Sequence, residues 1–236
     1  MIITIDGPAG SGKSTAARKL AARLGIPYLD TGAMYRVVTL AALEEGIDLR
    51  DEQALTRVAA NAQFDLDCGP THVRVKLGGR DVTEEIRTMR VNEHTRHIAG
   101  SPGVRRILVE KQRELGARLG SLVTEGRDQG SVVFPDADLK FFVDASPKKR
   151  AERRLVDLLA DGEDVTFEQV LANVEQRDRT DSEREVGPLT VPENAITIET
   201  SDLSIGQVVD RLLDALRRAG VEIPSKNPAR STRPSP

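Results

Sequence analysis

MIITIDGPAGSGKST, residues 1–15, places an apolar, β-branched run, Ile2 to Ile5, directly before a stretch holding three glycines and a lysine. Such a run suits a strand buried on both faces, as in a parallel sheet. Gly7, Gly10 and Gly12 allow backbone angles closed to other residues and remove the Cβ atoms that would hold a ligand away from the amides. Lys13, Ser14 and Thr15 then open AARKLAARLG, rich in helix formers and closed by Gly25. Strand, glycine loop and helix thus follow in the order a phosphate cradle requires. Read as Gly7-x-x-x-x-Gly12-Lys13-Ser14, the stretch fits the P-loop pattern, in which loop amides and a helix N-terminus meet the phosphates, a lysine neutralises them and a hydroxyl binds Mg²⁺. A glycine-rich turn matches this pattern by chance in roughly one chain in a hundred of this length, before the flanking strand and helix are required. Gly7, Pro8, Ala9, Gly10, Ser11, Gly12, Lys13, Ser14 and Thr15 are therefore the expected ATP-binding residues, with Ser14 the ligand of Mg²⁺.

The rest of the composition limits what surrounds this loop. A chain of 236 residues suits one α/β domain with an insertion, or two small domains. Tryptophan is absent and aromatics make up 3% of the chain, so aliphatic side chains must fill the core. The single cysteine, Cys68, permits no internal disulfide and fits a reducing compartment. No stretch has the apolar length of a membrane span, and the N-terminus runs into a strand rather than a signal peptide, so a cytoplasmic location and no membrane partner are expected. Net charge is −3, and the segment from Pro224 to Pro236 carries Lys226, Arg230 and Arg233 with no acid, which leaves the body six charges negative. An acidic body argues against a nucleic-acid platform. The tail, residues 223–236, rich in Pro and Ser, is expected to be disordered.

Along the chain, strands alternate with helices. Strand-like segments are expected at Ile26 to Asp30, Ser121 to Gly126, Leu139 to Asp144 and Ala195 to Thr200; helical ones follow Thr31, Asp51, Glu84, Pro102, Pro147, Thr166 and Leu203. Between residues 63 and 88 the period changes: alternating Val73, Val75 and Leu77 and the pair Gly78-Gly79 predict a small antiparallel unit inserted into the fold. The remaining alternation implies right-handed crossovers and a parallel sheet covered on both faces, an α/β three-layer sandwich. Ligands of such sheets sit beyond the carboxyl ends of the strands, so GPAGSGKST, DTGAMYR, EGRDQG and DASPKKR share one edge. Arg36 and Arg127 therefore join Lys13 at the expected site.

Two further stretches are rich in arginine. Arg150, Arg153 and Arg154 stand at i, i+3 and i+4, on one helix face, where like charges repel unless an anion or a nearby acid relieves them. Arg177, Asp181 and Arg184 stand at i, i+4 and i+7; an ordinary ion pair would explain the first two. The acid-and-glycine switch of a GTPase and a guanine-reading Asn-Lys-x-Asp are both missing. With arginine in excess, the chemistry that fits is transfer of the γ-phosphate of ATP to a phosphate monoester, already anionic at neutral pH, with repulsion between two polyanions the problem to solve. A P-loop regulatory ATPase or nucleotide-binding protein and a kinase of a small alcohol remain alternatives.

ITIDGPAGSGKST, DTGAMYR, DVTEEIR, the VRRILVEKQR stretch, EGRDQGSVVFPDA, FVDAS and the RDRTDSER region together resemble bacterial cytidylate kinases over about residues 1 to 222. The resemblance implies transfer of phosphate from ATP to CMP or dCMP, a UMP preference being the rival within that class. It also implies a monomer with a core of residues 1–62 and 89–222, an NMP-site insertion over 63–88 and a helical lid at about 148–166. By the same resemblance Arg36 and Arg127 would grip the acceptor phosphate, with Thr31 and Tyr35 lining its site. Arg105 and Asp128 would read the cytosine edge, in keeping with acids accepting from cytosine N4. Arg177 and Asp181 would hold the ribose and Arg184 would buttress Asp128. Lys13, Arg127, Arg150 and Arg154 would be catalytic, the last two as lid arginines. The chain departs from the family pattern at Arg96, where a serine touches the base, and at Glu125, where an aspartate is usual.

Overall fold

The computed structural model describes residues 1–160 and 162–224. Five parallel strands form the central sheet: β1 (Ile2–Asp6), β2 (Tyr28–Asp30), β6 (Leu122–Gly126), β7 (Leu139–Asp144) and β8 (Ile196–Glu199), in the order β2-β6-β1-β7-β8. β1 is central, and its interior residues Ile3 and Ile5 are fully buried, as a strand covered on both faces demands. Ile5 pairs with Glu125 of β6 and with Phe141 of β7, so the ends of all three strands stand side by side.

Helices cover both faces. On one lie α1 (Lys13–Leu24) and α8 (Ile205–Arg218), which bury Ala16, Ala17, Leu20, Leu212 and Leu216 against Ile3, Ile5, Phe141 and Val143. In α8 the buried positions 208, 209, 212, 213 and 216 make one stripe at helical spacing, and Ser204 with Gln207 caps its start reciprocally. Truncating a fully buried leucine such as Leu212 to alanine is expected to cost about 2–5 kcal/mol. The other face carries α2 (Thr31–Glu44), α3 (Glu52–Asn61), α4 (Met89–Gly100) and α5 (Pro102–Leu119) around Leu29, Met34, Leu55, Ile98, Leu108 and Leu122. Asp30 and Asp51 cap α2 and α3, each accepting from the amide three residues on.

The antiparallel unit consists of β3 (Phe64–Cys68), β4 (Val73–Leu77) and β5 (Arg80–Asp81), with Gly78 and Gly79 both at positive φ between the last two. The helix expected from about Glu84 is interrupted: a 3₁₀ turn covers Glu85–Arg87, Thr88 is extended at φ −63° and ψ 155°, and α4 starts at Met89. The β-branched Thr88 turns its hydroxyl back onto the carbonyl of Glu85 at 2.9 Å, which closes the turn rather than extending a helix. α6 (Pro147–Ala160) and α7 (Phe167–Ser182) form their own small core from Ala151, Val170 and Val174. The tail expected to be disordered lies, from residue 225 on, outside the described residues. No described helix is long and apolar enough to cross a membrane.

Candidate active site

Because all five strands are parallel, the loops after β1, β2, β6 and β7 emerge at one edge. The glycine loop lies at its centre. A Cβ on Gly7 would fall 2.0 Å from the carbonyl oxygen of Val143 in the adjoining strand, and φ there is 153°, so glycine is required by both contact and conformation. α1 begins at Lys13 with no side chain capping it, which leaves its first amides open for an anion. Thr200 holds the loop from outside, its hydroxyl donating to the carbonyl of Ser11 at 3.0 Å. Ser14 is exposed at the rim and Thr15 is half-buried.

Lys13 is 5% exposed; its Nζ donates to the carbonyl of Pro8 at 3.0 Å and lies 4.0 Å from Glu125 Oε2. Burial first, and then the neighbouring Arg127, pull its pKa down to about 7, against the partial support of Glu125. Glu125 is therefore the acid that faces the lysine, its longer side chain reaching across from β6. The backbone carbonyl of Glu125 accepts from the Thr31 hydroxyl at 2.7 Å, which ties the start of α2 to the same rim.

Arg105, Arg127 and Arg184 converge on two buried carboxylates. Arg127 donates through Nε to Asp181 at 2.7 Å, and Arg184 donates to the other oxygen of the same group. Arg127 and Arg184 together hold the Asp181 carboxyl below its usual value in spite of its burial. Arg105, 2% exposed, pairs with Asp128, donates to the carbonyls of Ala99 and Gly187, and stacks 5.4 Å from the ring centre of Tyr35. Burial pushes the Tyr35 hydroxyl up to about 12. Arg36 donates to Asn92 at 3.0 Å. Arg177 is exposed in the cleft, yet desolvation by the surrounding chain and then Arg127 pull its pKa down to about 10. Lys13, Arg36, Arg105, Arg127, Arg177 and Arg184 thus gather at one edge, among the carboxylates of Asp128, Asp181 and Glu125 and of Asp6, Asp30 and Asp144, which end their strands there; among the described residues Arg36 and Arg177 make no ion pair.

Several expected partnerships differ. Asp181 pairs with Arg127 and Arg184 rather than with Arg177, because α7 ends at Ser182 and the chain turns Arg184 back toward the carboxylate. Arg184 accordingly supports Asp181, and the pair partner of Asp128 is Arg105. The three arginines of α6 do not form one unneutralised stripe. Arg150, 2% exposed, forks onto Asp178 of α7 at 2.9 and 2.5 Å and also donates to the carbonyls of Ala9 and Ala145. Arg153 donates to the Thr200 carbonyl at 2.6 Å. Arg154 is exposed and makes no ion pair among the described residues.

Sequence reasoning missed Asp178, Asp6 and the π-helical turn Gln129–Val133 that follows Asp128. Asp178 lies one residue from Arg177, and the spacing from Arg150 gives no sign of the contact. Among the described residues no cluster of three or more His, Cys, Asp or Glu could hold a metal. The exposed hydroxyl of Ser14 at the start of α1 instead suits an ion that keeps most of its waters and reaches the protein through one or two oxygens and the substrate phosphates, which is the habit of Mg²⁺.

A family model described as cytidylate kinase matches residues 3–218. The cytidylate kinase of Caldanaerobacter subterraneus subsp. tengcongensis is 48% identical over 216 residues, covering 92% of this chain and 94% of that one. The cytidylate kinase of Rhodococcus opacus is 44% identical over 222 residues, 94% of this chain and 97% of its own. A bifunctional pantoate ligase/cytidylate kinase of Synechococcus is 47% identical over 92% of this chain, which spans only 40% of that longer protein. Among solved structures, an uncharacterized protein from Eubacterium ventriosum superposes with a TM-score of 0.52 at 13% identity, over 92% of this chain and 98% of that one. At that identity the likeness speaks for the fold alone.

Proposed function

The chain belongs to the cytidylate kinase family, and from that membership we propose that it transfers the γ-phosphate of ATP to CMP or dCMP, giving ADP and the diphosphate. The observation that carries the reading is the convergence of Lys13, Arg36, Arg127 and Arg177 beside the glycine loop at the carboxyl edge of the sheet, with Arg36 and Arg177 in no ion pair among the described residues, an arrangement that two nucleotides brought end to end would neutralise.

Each residue has a task in this reading. The amides from Gly7 to Thr15 hold the ATP phosphates, and Lys13 regains its full charge there once anions replace its desolvated surroundings. Ser14 would hold Mg²⁺, which when bound draws charge off the β- and γ-phosphates. Arg36 and Arg127 grip the acceptor phosphate and bring its oxygen in line with the γ-phosphate. Thr31 and Tyr35 line that pocket. Asp128, held by Arg105, accepts from the cytosine amino group, and Asp181 with Arg177 holds the ribose, with Arg184 behind Asp181. Arg154, exposed on α6, is the lid arginine that closes over the phosphates and excludes water. Arg150 is spoken for by Asp178 and the Ala9 carbonyl, so its part is to fix the glycine loop rather than to grip phosphate.

The test supplies ATP and Mg²⁺ with CMP, dCMP, UMP, AMP or no acceptor and measures ADP together with the phosphorylated product. Stoichiometric CDP or dCDP formation, with little ADP in the absence of an acceptor, is the expected result. ADP release indifferent to every nucleotide would remove the reading.

A further inference from the structure

Asp6 ends β1 and stands immediately before the glycine loop, yet both of its carboxylate oxygens bind the chain that follows β6. It is fully buried. One oxygen accepts from the amide of Gln129 at 2.9 Å and the other from the amide of Gly130 at 2.7 Å. Those are the opening amides of the π-helical turn Gln129–Val133, whose own bonds run from the Val133 amide to Asp128 at 3.1 Å and from the Phe134 amide to Gln129 at 2.7 Å. The first amides of any helical turn find no partner within it. Here the partner arrives from a strand 123 residues earlier. Turns of this kind are rare and concentrate at functional sites.

We infer that Asp6 is a positioning residue: it caps the turn after β6 from the strand that carries the phosphate cradle, and thereby holds Arg127 and Asp128 in register with the donor phosphates. This rests on the reading of Arg127 and Asp128 as acceptor-side residues. Only a carboxylate offers two acceptors to two amides at this position; an asparagine would aim N–H at N–H. The side chain of Gln129 reinforces the clamp, accepting from Thr124 at 2.8 Å and donating to Gln112 at 2.9 Å on α5, the helix that also carries Arg105. The charged groups that act on Asp6 are Lys13 from α1 and Asp128 from the head of the turn, with opposing effects, so burial dominates and raises its carboxyl to about 7. In-line transfer needs precise placement, since a misplacement of about 1 Å can lower a rate about a hundredfold.

Two measurements test the inference. In the wild-type protein, hydrogen exchange of the Gln129 and Gly130 amides is expected to be as slow as that of the β1 amides of Ile3 and Ile5; exchange at the rate of an open loop would overturn the capping role. In Asp6→Asn, KM for CMP is expected to rise about tenfold to a hundredfold while KM for ATP stays within about threefold, because hydrogen bonds to a charged acceptor are lost on one side of the cleft only. Equal changes in both constants, or none, would overturn it. Should Asp6→Asn not fold, Asp6→Ser, which removes the buried charge, carries the same expected split; if neither folds, the wild-type exchange decides. Wild-type turnover of CMP in the same assay separates the two levels: its absence counts against the proposed activity, whereas normal wild-type turnover with an unaltered variant counts against Asp6 alone.

Discussion

The arginines of α6 and those of the rim present the same residue type at similar density, and the chain uses them in opposite ways. On α6, Arg150 and Arg153 are consumed by protein partners: Asp178, three main-chain carbonyls and nothing else among the described residues. Along the rim, Arg105, Arg127 and Arg184 share two buried carboxylates, and Arg36 and Arg177 have no carboxylate partner among the described residues. In the first group Asp178 neutralises Arg150, which holds the glycine loop against α7; in the second two guanidinium groups stay without an ion pair among the described residues. Arg150, its fork on Asp178 and its other donors on main-chain carbonyls, is a fastener; Arg36 and Arg177, with no carboxylate among the described residues, are open to a ligand.

The contrast breaks most readily at Arg127. Arg127→Ala is expected to lower kcat/KM for CMP and dCMP alike by about a thousandfold, roughly 4 kcal/mol, as loss of a charge-stabilising group at the transferring phosphoryl does. Steady-state kinetics with each acceptor checks this, and unchanged constants would place the side chain outside the site. Next in size is Asp178→Asn, which leaves the buried Arg150 guanidinium without its anion. A loss of about 2–3 kcal/mol of stability is expected, below the range for fully buried pairs because the Asp178 side chain is 25% exposed. Thermal melts would show a fall of about 5–10 °C for a chain of this length, and Arg150→Met combined with Asp178→Leu would recover much of it.

The pH dependence sharpens the comparison further. In the folded chain Asp6 binds its proton near pH 7 and in the unfolded chain near 3.8, so the stability it contributes is complete below about pH 4 and is lost as pH rises to 7. Lys13 titrates near 7 folded and 10.5 unfolded, so its contribution to stability grows as pH rises between those values. The two together favour a minimum near pH 7 in the ligand-free protein. Melting temperatures across pH 4–10 are expected to flatten on the acid side in Asp6→Asn and on the alkaline side in Lys13→Met; parallel profiles would contradict both assignments. The smallest effect belongs to Arg154→Ala, with kcat lower by about tenfold and stability within about 0.5 kcal/mol, since the side chain is exposed.

What could be read from the sequence was local or periodic. The strand, glycine loop and helix at residues 1–24 form a contiguous unit whose parts explain each other, and the parallel sheet follows from alternation alone. The antiparallel insertion announced itself by a change of period and a glycine pair. The partnerships across the rim were not legible. Asp178 faces Arg150 because α6 and α7 pack on Ala151, Val170 and Val174, and Asp6 reaches Gln129 because β1 lies beside β6; both are consequences of assembly, not of spacing. Arg184 went astray for a related reason, since its partner depends on where α7 stops.

The central claim is that the rim, and not α6, holds guanidinium groups for the acceptor nucleotide. Calorimetric titration of CMP into Arg127→Ala and into the combined Arg150→Met, Asp178→Leu variant tests it most directly. A loss of affinity of about a hundredfold in the first and less than about threefold in the second is the predicted outcome; equal losses, or a larger loss in the second, would contradict it.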